Sequence, residues 1–199
     1  LANGELHLSH LSGLLPGGSS FSVAGNLIAA DGAPKFTGAA EGKSDNLRGM
    51  LEWLQISLTQ VPSDRVRKMS MTSRITATPT SIEIADLDLK LDSSHVTGGA
   101  AIALPGAGQD KAAFGVGLAI DQLNLDAYLP PSAGGGTAKK KGGGLPLDAL
   151  APLAGFDANV ELRVGKLTMN NQQAQGVHID GTLNGGALTL RDFSVKEFA

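Results

Sequence analysis

One spacing of apolar residues recurs along this chain and constrains its fold more than any other feature. Two apolar residues stand two positions apart, two residues intervene, and a second such pair follows. On an α-helix these positions would scatter around the axis, whereas each pair lies on one face of a β-strand. The spacing occurs in full at Ile82-Ile84-Leu87-Leu89, Leu118-Ile120-Leu123-Leu125, Leu162-Val164-Leu167-Met169 and Leu188-Leu190-Phe193-Val195, and without its fourth position at Leu6-Leu8-Leu11.

The two residues between the pairs decide which face the second pair occupies. On a regular strand the second pair would fall on the opposite face, because side chains alternate. A β-bulge absorbs one residue and bends the strand, so both pairs return to one face. We therefore predict bulged strands that are apolar on one side, and aligned bulges would curl the sheet. The predicted bulge positions are Ser9-His10, Ala85-Asp86, Asp121-Gln122, Gly165-Lys166 and Arg191-Asp192.

Turn residues divide the remaining pattern into further strands. Asp31-Gly32, Asn170-Asn171 and Asn184-Gly185 lie between alternating runs and are typical of hairpin turns. The chain is therefore predicted to be mainly β, a curved and bulged antiparallel meander sheet that forms a taco-like groove or closes as a sandwich. The predicted strands are 4–12, 21–29, 34–42, 65–77, 80–91, 95–104, 112–125, 156–169, 173–183 and 187–195.

One segment has helical periodicity instead, and it predicts a short amphipathic helix at about 44–56. Ser44 is the expected N-cap. We expect the apolar stripe and the adjacent Trp53 to pack on the sheet; contact with a membrane is the rival role, which the acidic Asp45 and Glu52 disfavour. The stripe consists of Leu47, Met50, Leu51 and Leu54.

The segment 132–144 interrupts the strand pattern. Two glycine triplets flank three lysines there, which is typical of a flexible linker. We predict a β-meander with its helix over 1–131, the linker over 132–144, and a second meander over 145–199 that continues the same sheet. Because both ends fall within the strand pattern, we expect the chain to be an excerpt of a longer protein.

The charge and composition exclude several classes of protein. With 16 basic and 19 acidic residues the net charge is −3, so the chain lacks the basic footprint of a nucleic-acid-binding protein. It contains no cysteine, which excludes disulfides, thiolate metal sites and a cysteine nucleophile. Neither a signal peptide nor a membrane-spanning run is present in the sequence.

Catalytic and metal-binding patterns are absent from the sequence. The four histidines, His7, His10, His95 and His178, fall in three separate predicted strands, so a metal site is not expected. No serine sits in a G-x-S-x-G elbow, and neither an H-E-x-x-H motif nor a calcium loop occurs. We therefore predict a protein that is not an enzyme, with no catalytic residues, no metal and no cofactor.

The apolar side of the predicted strands needs a cover, because the sequence offers one helix and few aromatic residues. The sheet either folds on itself as a sandwich or stays open as a trough completed by acyl chains. A chain of about 16 carbons gains on the order of 13 kcal/mol gross, before the costs of binding. The residues expected to line such a trough are Ile82, Ile84, Leu87, Leu89, Leu118, Ile120, Leu162, Val164, Leu167, Leu188, Leu190 and Phe193.

Three segments resemble the AsmA family. FSVAGNLIAADGAPKFTGAAEGKSDNLRGMLEWLQI resembles that family's run of strand, G-x-P-x-F-x-G turn and leucine-rich helix. AFGVGLAIDQLNLDAYLPP is similar to its segment ending in "ldLDrYlp", and FDANVELRVGKLTMNNQQAQGVHIDGTLNGGALTLRDFSVKEF resembles its closing meander. The motifs are degenerate apolar patterns, so the resemblance depends on their order.

The resemblance implies a periplasmic envelope protein of Gram-negative bacteria, anchored in the inner membrane by an N-terminal helix that this chain lacks. It further implies a β-groove with an apolar interior, related to bridge-like lipid transfer proteins. The implied role is phospholipid transport and outer-membrane biogenesis, with a phospholipid or other acyl-chain lipid and envelope membrane proteins as partners. The alternative is a closed β-sandwich that affects outer-membrane protein assembly through protein contacts.

Overall fold

The computed structural model describes residues 4–30, 32–59, 61–106, 111–128, 157–184 and 187–198. Within them the chain is mainly β, as predicted, with one α-helix and one 3-10 turn at Leu125–Ala127. The helix α1 spans Leu47–Trp53. The strands are β1 Leu6–Leu15, β2 Ser19–Ala30, β3 Ala33–Ser44, β4 Met69–Ala77, β5 Ser81–Leu91, β6 Ser94–Ala103, β7 Ala113–Asn124, β8 Asp157–Met169, β9 Gln172–Asn184, β10 Ala187–Ser194 and β11 Glu197–Phe198.

All the strands belong to one open, curved sheet in which β1 to β10 follow each other in chain order. The short β11 pairs with β9 beyond the end of β10. Neighbours are antiparallel except β7 and β8, which run parallel. The predicted meander is therefore correct on either side of this pair and wrong at it. Short connections join most of the antiparallel neighbours, and α1 with its following segment joins β3 to β4. The long segment between Asn124 and Asp157 leaves room for the crossover that a parallel pair requires.

The bulges allow residues that stand three positions apart on a strand to point to the same face of the sheet. Ile84 and Leu87 stand three apart on β5, yet they pair with Ala100 and Gly98, which stand two apart on β6. Equivalent register shifts occur on β1 between Leu8 and Leu11 and on β10 between Leu190 and Asp192. On β7 and β8 the register is kept, because Asp121 and Gly165 leave the ladder together. The predicted bulges of β1, β5 and β10 are thus confirmed as register shifts.

The helix is shorter than predicted and has another cap. Ser44 ends β3, where its buried hydroxyl forms a hydrogen bond of 2.7 Å with the hydroxyl of Ser19. Asn46 caps α1 instead, since its side-chain oxygen accepts a hydrogen bond from Gly49 N at 3.3 Å. None of the helical residues is buried. The sequence predicts Ser44 as the cap, but β3 extends to it because Ser44 pairs with both neighbouring strands.

The strand predicted at 65–77 begins only at Met69. Val66 has a positive φ of 57°, which lies outside the extended region of regular strands, and the backbone there bonds to Asp92 instead of to a strand. The turn at Asn170-Asn171 is as predicted, because both residues have positive φ, the conformation of a two-residue hairpin turn. The predicted linker 132–144 and the segment 145–153 lie outside the described residues.

Candidate functional site: the apolar face of the sheet

Strand pairing assigns each residue to a side of the sheet, because residues directly opposite each other point the same way. A row of partners runs from Leu6 on β1 to Leu183 on β9 through apolar residues only. We call this side of the sheet the apolar face. The row consists of Leu6, Leu27, Phe36, Ala77, Ile82, Ile102, Phe114, Ala158 and Leu183.

The residues predicted to line a groove all fall in rows of this face. Leu188 is placed by its backbone pairing with Leu183, and Leu167 by its packing against the cluster around Val164. The structure therefore brings at least the first three positions of each repeated spacing to one side. In order from the first row, the rows hold Ile82 and Leu188; Ile84 and Leu190; Leu87, Leu118, Leu162 and Phe193; Leu89, Ile120 and Val164; and Leu167.

Burial differs along the apolar face. Val164 and Val177 are only 4% and 2% exposed, and their described neighbours belong to the same face. Such burial without a second layer is expected where a sheet curls toward that face. Val164 therefore serves mainly as core and leaves little surface for a ligand. The face is exposed at both outer strands, since Leu6 on β1 is 56% exposed and Phe193 on β10 is 59% exposed.

Sequence reasoning missed the part of the apolar face on β2, β3 and β4. Phe21 and Phe36 lie there, and a Cβ at Gly25 or Gly38 would come within 2.8 Å or 2.7 Å of Phe36 Cζ. The Phe36 ring thus covers two glycines that supply no side chain. The alternation in Phe21–Val23 and in Met69–Met71 was the available signal, but these strands lack the repeated spacing.

The opposite side, which we call the polar face, carries the charged side chains. His95 Nε2 lies 3.1 Å from Asp88, His178 Nδ1 lies 3.0 Å from Asp192, and Arg191 lies 2.6 Å from Asp180. Further ion pairs join Arg74 to Asp86 and Arg163 to Glu161. The sheet is therefore amphipathic, with solvated ion pairs on one face and aliphatic rows on the other.

No second layer covers the apolar face within the part of the chain that the structure describes. Only six hydrophobic residues there are buried, and five of them are alanine or valine: Ala40, Ala158, Ala174, Val164, Val177 and Leu183. The helix α1 does not cover the apolar face, and none of its residues is buried. Trp53, which was expected to pack, is 58% exposed.

The helix lies at one end of the sheet, which we call the helix end. It comprises the β1–β2 turn, α1, the segment from α1 to β4, and the β5–β6 turn. Asn46 N donates to Gly17 O at 2.9 Å, and Leu47 N donates to Arg67 O at 2.8 Å. Arg48 donates through its guanidinium to the carbonyls of Leu58, Val61 and Pro62 at 3.2, 2.7 and 2.7 Å.

Asp92 links the β5–β6 turn to the segment that precedes β4. Its carboxylate accepts hydrogen bonds from Val66 N at 2.7 Å, Arg67 N at 2.9 Å, Lys68 N at 3.3 Å and Tyr128 Oη at 3.2 Å. Partial burial raises the pKa of Asp92, but these hydrogen bonds outweigh it and hold the pKa below its ordinary value. For Tyr128, burial and then the nearby Asp92 charge raise the pKa above the ordinary value.

The histidines do not converge. His7 Nδ1 lies 2.6 Å from Asn26 Oδ1, while His95 and His178 belong to separate ion pairs of the polar face. Among the described residues no group of three or more His, Cys, Asp or Glu side chains is placed to hold a metal ion.

Comparison with protein-family models, curated proteins and solved structures finds no match for this chain. No α-helix in the described ranges has both the length and the apolar character needed to cross a bilayer.

Proposed function

We propose that this chain is a non-enzymatic lipid-binding module whose apolar face holds acyl chains. The observation that carries the proposal is the mismatch between the apolar rows, which run across β1 to β9, and the six hydrophobic residues that the described part of the chain buries. Monomeric soluble proteins rarely expose apolar patches larger than a few hundred Å², and larger patches mark binding sites.

Acyl chains suit this surface better than a compact ligand does. The rows are continuous and contain aliphatic and phenylalanine side chains, with no charged group between Leu6 and Leu183 in the first row. A surface of this kind offers burial without directional hydrogen bonds. A tail of about 16 methylenes at ~0.8 kcal/mol each has on the order of 13 kcal/mol to gain, against which the ordering of the tail must be set.

The resemblance to the AsmA family supports a biological setting for this activity. We propose a periplasmic module of a longer protein anchored in the inner membrane, with a role in phospholipid transport and outer-membrane biogenesis. An open and curved sheet agrees with the β-groove that this resemblance implies. The alternative of a closed sandwich acting through protein contacts has less support, because the sheet is open.

Neighbouring residues of β7 provide a matched test. Leu118 belongs to the apolar face and is half-buried, whereas Ala119 is exposed on the opposite side. A photoreactive amino acid at position 118 should cross-link to phospholipid during expression in bacteria, and one at position 119 should not. Leu118→Asp should lose most cross-linking at a photoreactive residue in position 162, whereas Ala119→Asp should retain it.

Both Asp variants should remain folded by circular dichroism, because an open face lets water solvate the new carboxylate. Equal cross-linking from positions 118 and 119 would count against a lipid on the apolar face. Unfolding caused by Leu118→Asp alone would indicate that the face is a sealed core.

A further inference from the structure

The helix end exposes large apolar side chains that do not belong to the apolar face. Three exposed apolar residues lie at the end of α1 or just after it: Trp53, which is 58% exposed, Leu54 and Ile56. Leu14, near the β1–β2 turn at the same end, is 89% exposed and pairs with Ser20 of the polar face. Because they are exposed, these side chains do not stabilise the fold. They would bury apolar surface if the helix end contacted a partner.

Unpaired cations lie at the same end of the sheet, and two of them stand in the same row of strand partners as Leu14. Lys43 and Lys90 both pair with Ser70, on the strand between them, which places the two lysines about 10 Å apart on the polar face. Lys68 completes a surface cavity of about 470 Å³ with these lysines, and Arg67 is exposed beside it. None of the four cations forms an ion pair with another described residue.

The acidic residues of the helix end are largely occupied. Glu52 lies 3.9 Å from Arg48, and Asp64 lies 3.5 Å from Arg65. Asp92 directs its carboxylate to three backbone amides and Tyr128. Asp45 is the remaining carboxylate at the cavity. By count, the helix end and its flanking lysines carry more cations than carboxylates, although the whole chain carries a net charge of −3. The six cations are Lys43, Arg48, Arg65, Arg67, Lys68 and Lys90, and the four carboxylates are Asp45, Glu52, Asp64 and Asp92.

We propose that the helix end docks on the surface of a bilayer that contains anionic phospholipids. Tryptophan favours the interfacial region of a bilayer, where its ring is partly dehydrated and its N–H keeps a polar partner. Lysine and arginine beside it gain from the negative surface potential of anionic lipids. An end of the sheet that carries both exposed apolar side chains and unpaired cations fits that surface in both respects, and the fit does not depend on acyl chains binding to the apolar face.

Trp53 is the single tryptophan of the chain, so its fluorescence reports on this surface directly. Titration with phosphatidylcholine vesicles that contain phosphatidylglycerol should shift its emission to shorter wavelength and protect it from iodide quenching. Vesicles of phosphatidylcholine alone should have little effect. Brominated phospholipids in the anionic vesicles should quench the emission, because the ring would lie close to the upper acyl carbons.

Charge-matched variants separate this surface from overall charge. Lys68→Gln with Lys90→Gln should weaken partitioning to anionic vesicles roughly 25-fold, since each lysine near such a surface contributes about a factor of five. Lys35→Gln with Lys111→Gln, at the opposite end of the sheet, should leave it nearly unchanged. Leu54→Ser with Ile56→Ser keeps Trp53 and should reduce both the spectral shift and vesicle flotation.

Three results would overturn the proposal. They are an unchanged Trp53 emission with anionic vesicles, equal losses in the two lysine pairs, and a concentration-dependent emission shift without vesicles, which would identify a second copy of the chain as the occupant. Lipid cross-linking at position 118 is a separate readout. A failure of docking therefore leaves the proposed acyl-chain binding intact, and the reverse is also true.

Discussion

Asp92 illustrates how one side chain fixes the geometry of the helix end. It has a positive φ of 51°, and its carboxylate collects donors from the segment that precedes β4. These backbone N–H groups have no strand partner, because β4 begins only at Met69. The predicted strands 80–91 and 95–104 place Asp92 in the connection between them, but the sequence gives no indication of this role, since the donors come from residues about 25 positions away.

Replacing Asp92 by Asn should destabilise the protein by roughly 1–2 kcal/mol, because hydrogen bonds to a charged acceptor become weaker bonds to a neutral one. Asn tolerates positive φ, so the turn itself is preserved. Asp86→Asn is the matched control. Asp86 also has positive φ on β5, but it forms an exposed ion pair with Arg74, which should contribute little. Urea denaturation at pH 7 measures both changes.

The destabilisation by Asp92→Asn should depend on pH. The folded state lowers the pKa of Asp92 below its ordinary value of 3.8, so the ionised form is favoured by folding. The stabilisation by the ionised Asp92 is fully present above the pKa that this residue has in the unfolded state. It is lost as the pH falls through the pKa of the folded state. The difference in unfolding free energy between the two proteins should therefore shrink below about pH 4. A difference that stays constant from pH 7 to acid conditions would contradict this origin.

Gly25 is a second position at which one residue sets local geometry. A Cβ there would meet the Thr37 carbonyl oxygen and lie 2.8 Å from Phe36 Cζ, so β2 and β3 approach too closely for a side chain. Gly25→Ala should cost about 1–3 kcal/mol through overpacking. Gly117→Ala on β7, where a Cβ meets nothing within 4 Å, should be neutral or slightly stabilising. Thermal unfolding followed by circular dichroism compares them, and equal effects would contradict the close approach.

At the scale of elements, the repeated apolar spacing was a reliable guide to strands and to their common face. It predicted the bulges of β1, β5 and β10 because alternation leaves no other way to keep both pairs on one side. It did not reveal that β8 runs parallel to β7, since apolar spacing carries no direction. The helix was predicted from its stripe, but its position at the end of the sheet depends on bonds to Gly17 and Arg67.

Arg48 should control the stability of the helix end without affecting the sheet. Its guanidinium joins α1 to the carbonyls of Leu58, Val61 and Pro62. Arg48→Met keeps the aliphatic stem and removes these bonds, so the segment before β4 should open locally. Trypsin should then cleave faster at Arg65 and Arg67 while the circular dichroism of the sheet is unchanged.

The control for Arg48 is Arg163→Met, which removes a cation of the polar face that pairs with Glu161. This variant should leave the rate of cleavage at Arg65 and Arg67 unchanged. Equal cleavage in all three proteins would show that the helix end is held by other contacts.

At the scale of the whole molecule, an amphipathic sheet is left with one face uncovered by any described element. Composition and pattern predicted the apolar face, including Leu118 and Leu162, which meet across the parallel pair. They did not reveal whether the face would close, because closure depends on how far the strands curl and not on which residues alternate. Nor did they reveal that Val164 would be buried by that curvature while Phe193 stays exposed.

Native mass spectrometry of the gently purified protein tests the central claim most directly. If the apolar face holds acyl chains, the wild-type spectrum should contain a population heavier by the mass of a phospholipid. That population should diminish in Leu118→Asp and persist in Ala119→Asp. Lipid-free spectra in repeated preparations, with the apolar face shielded from carbene footprinting, would contradict the claim.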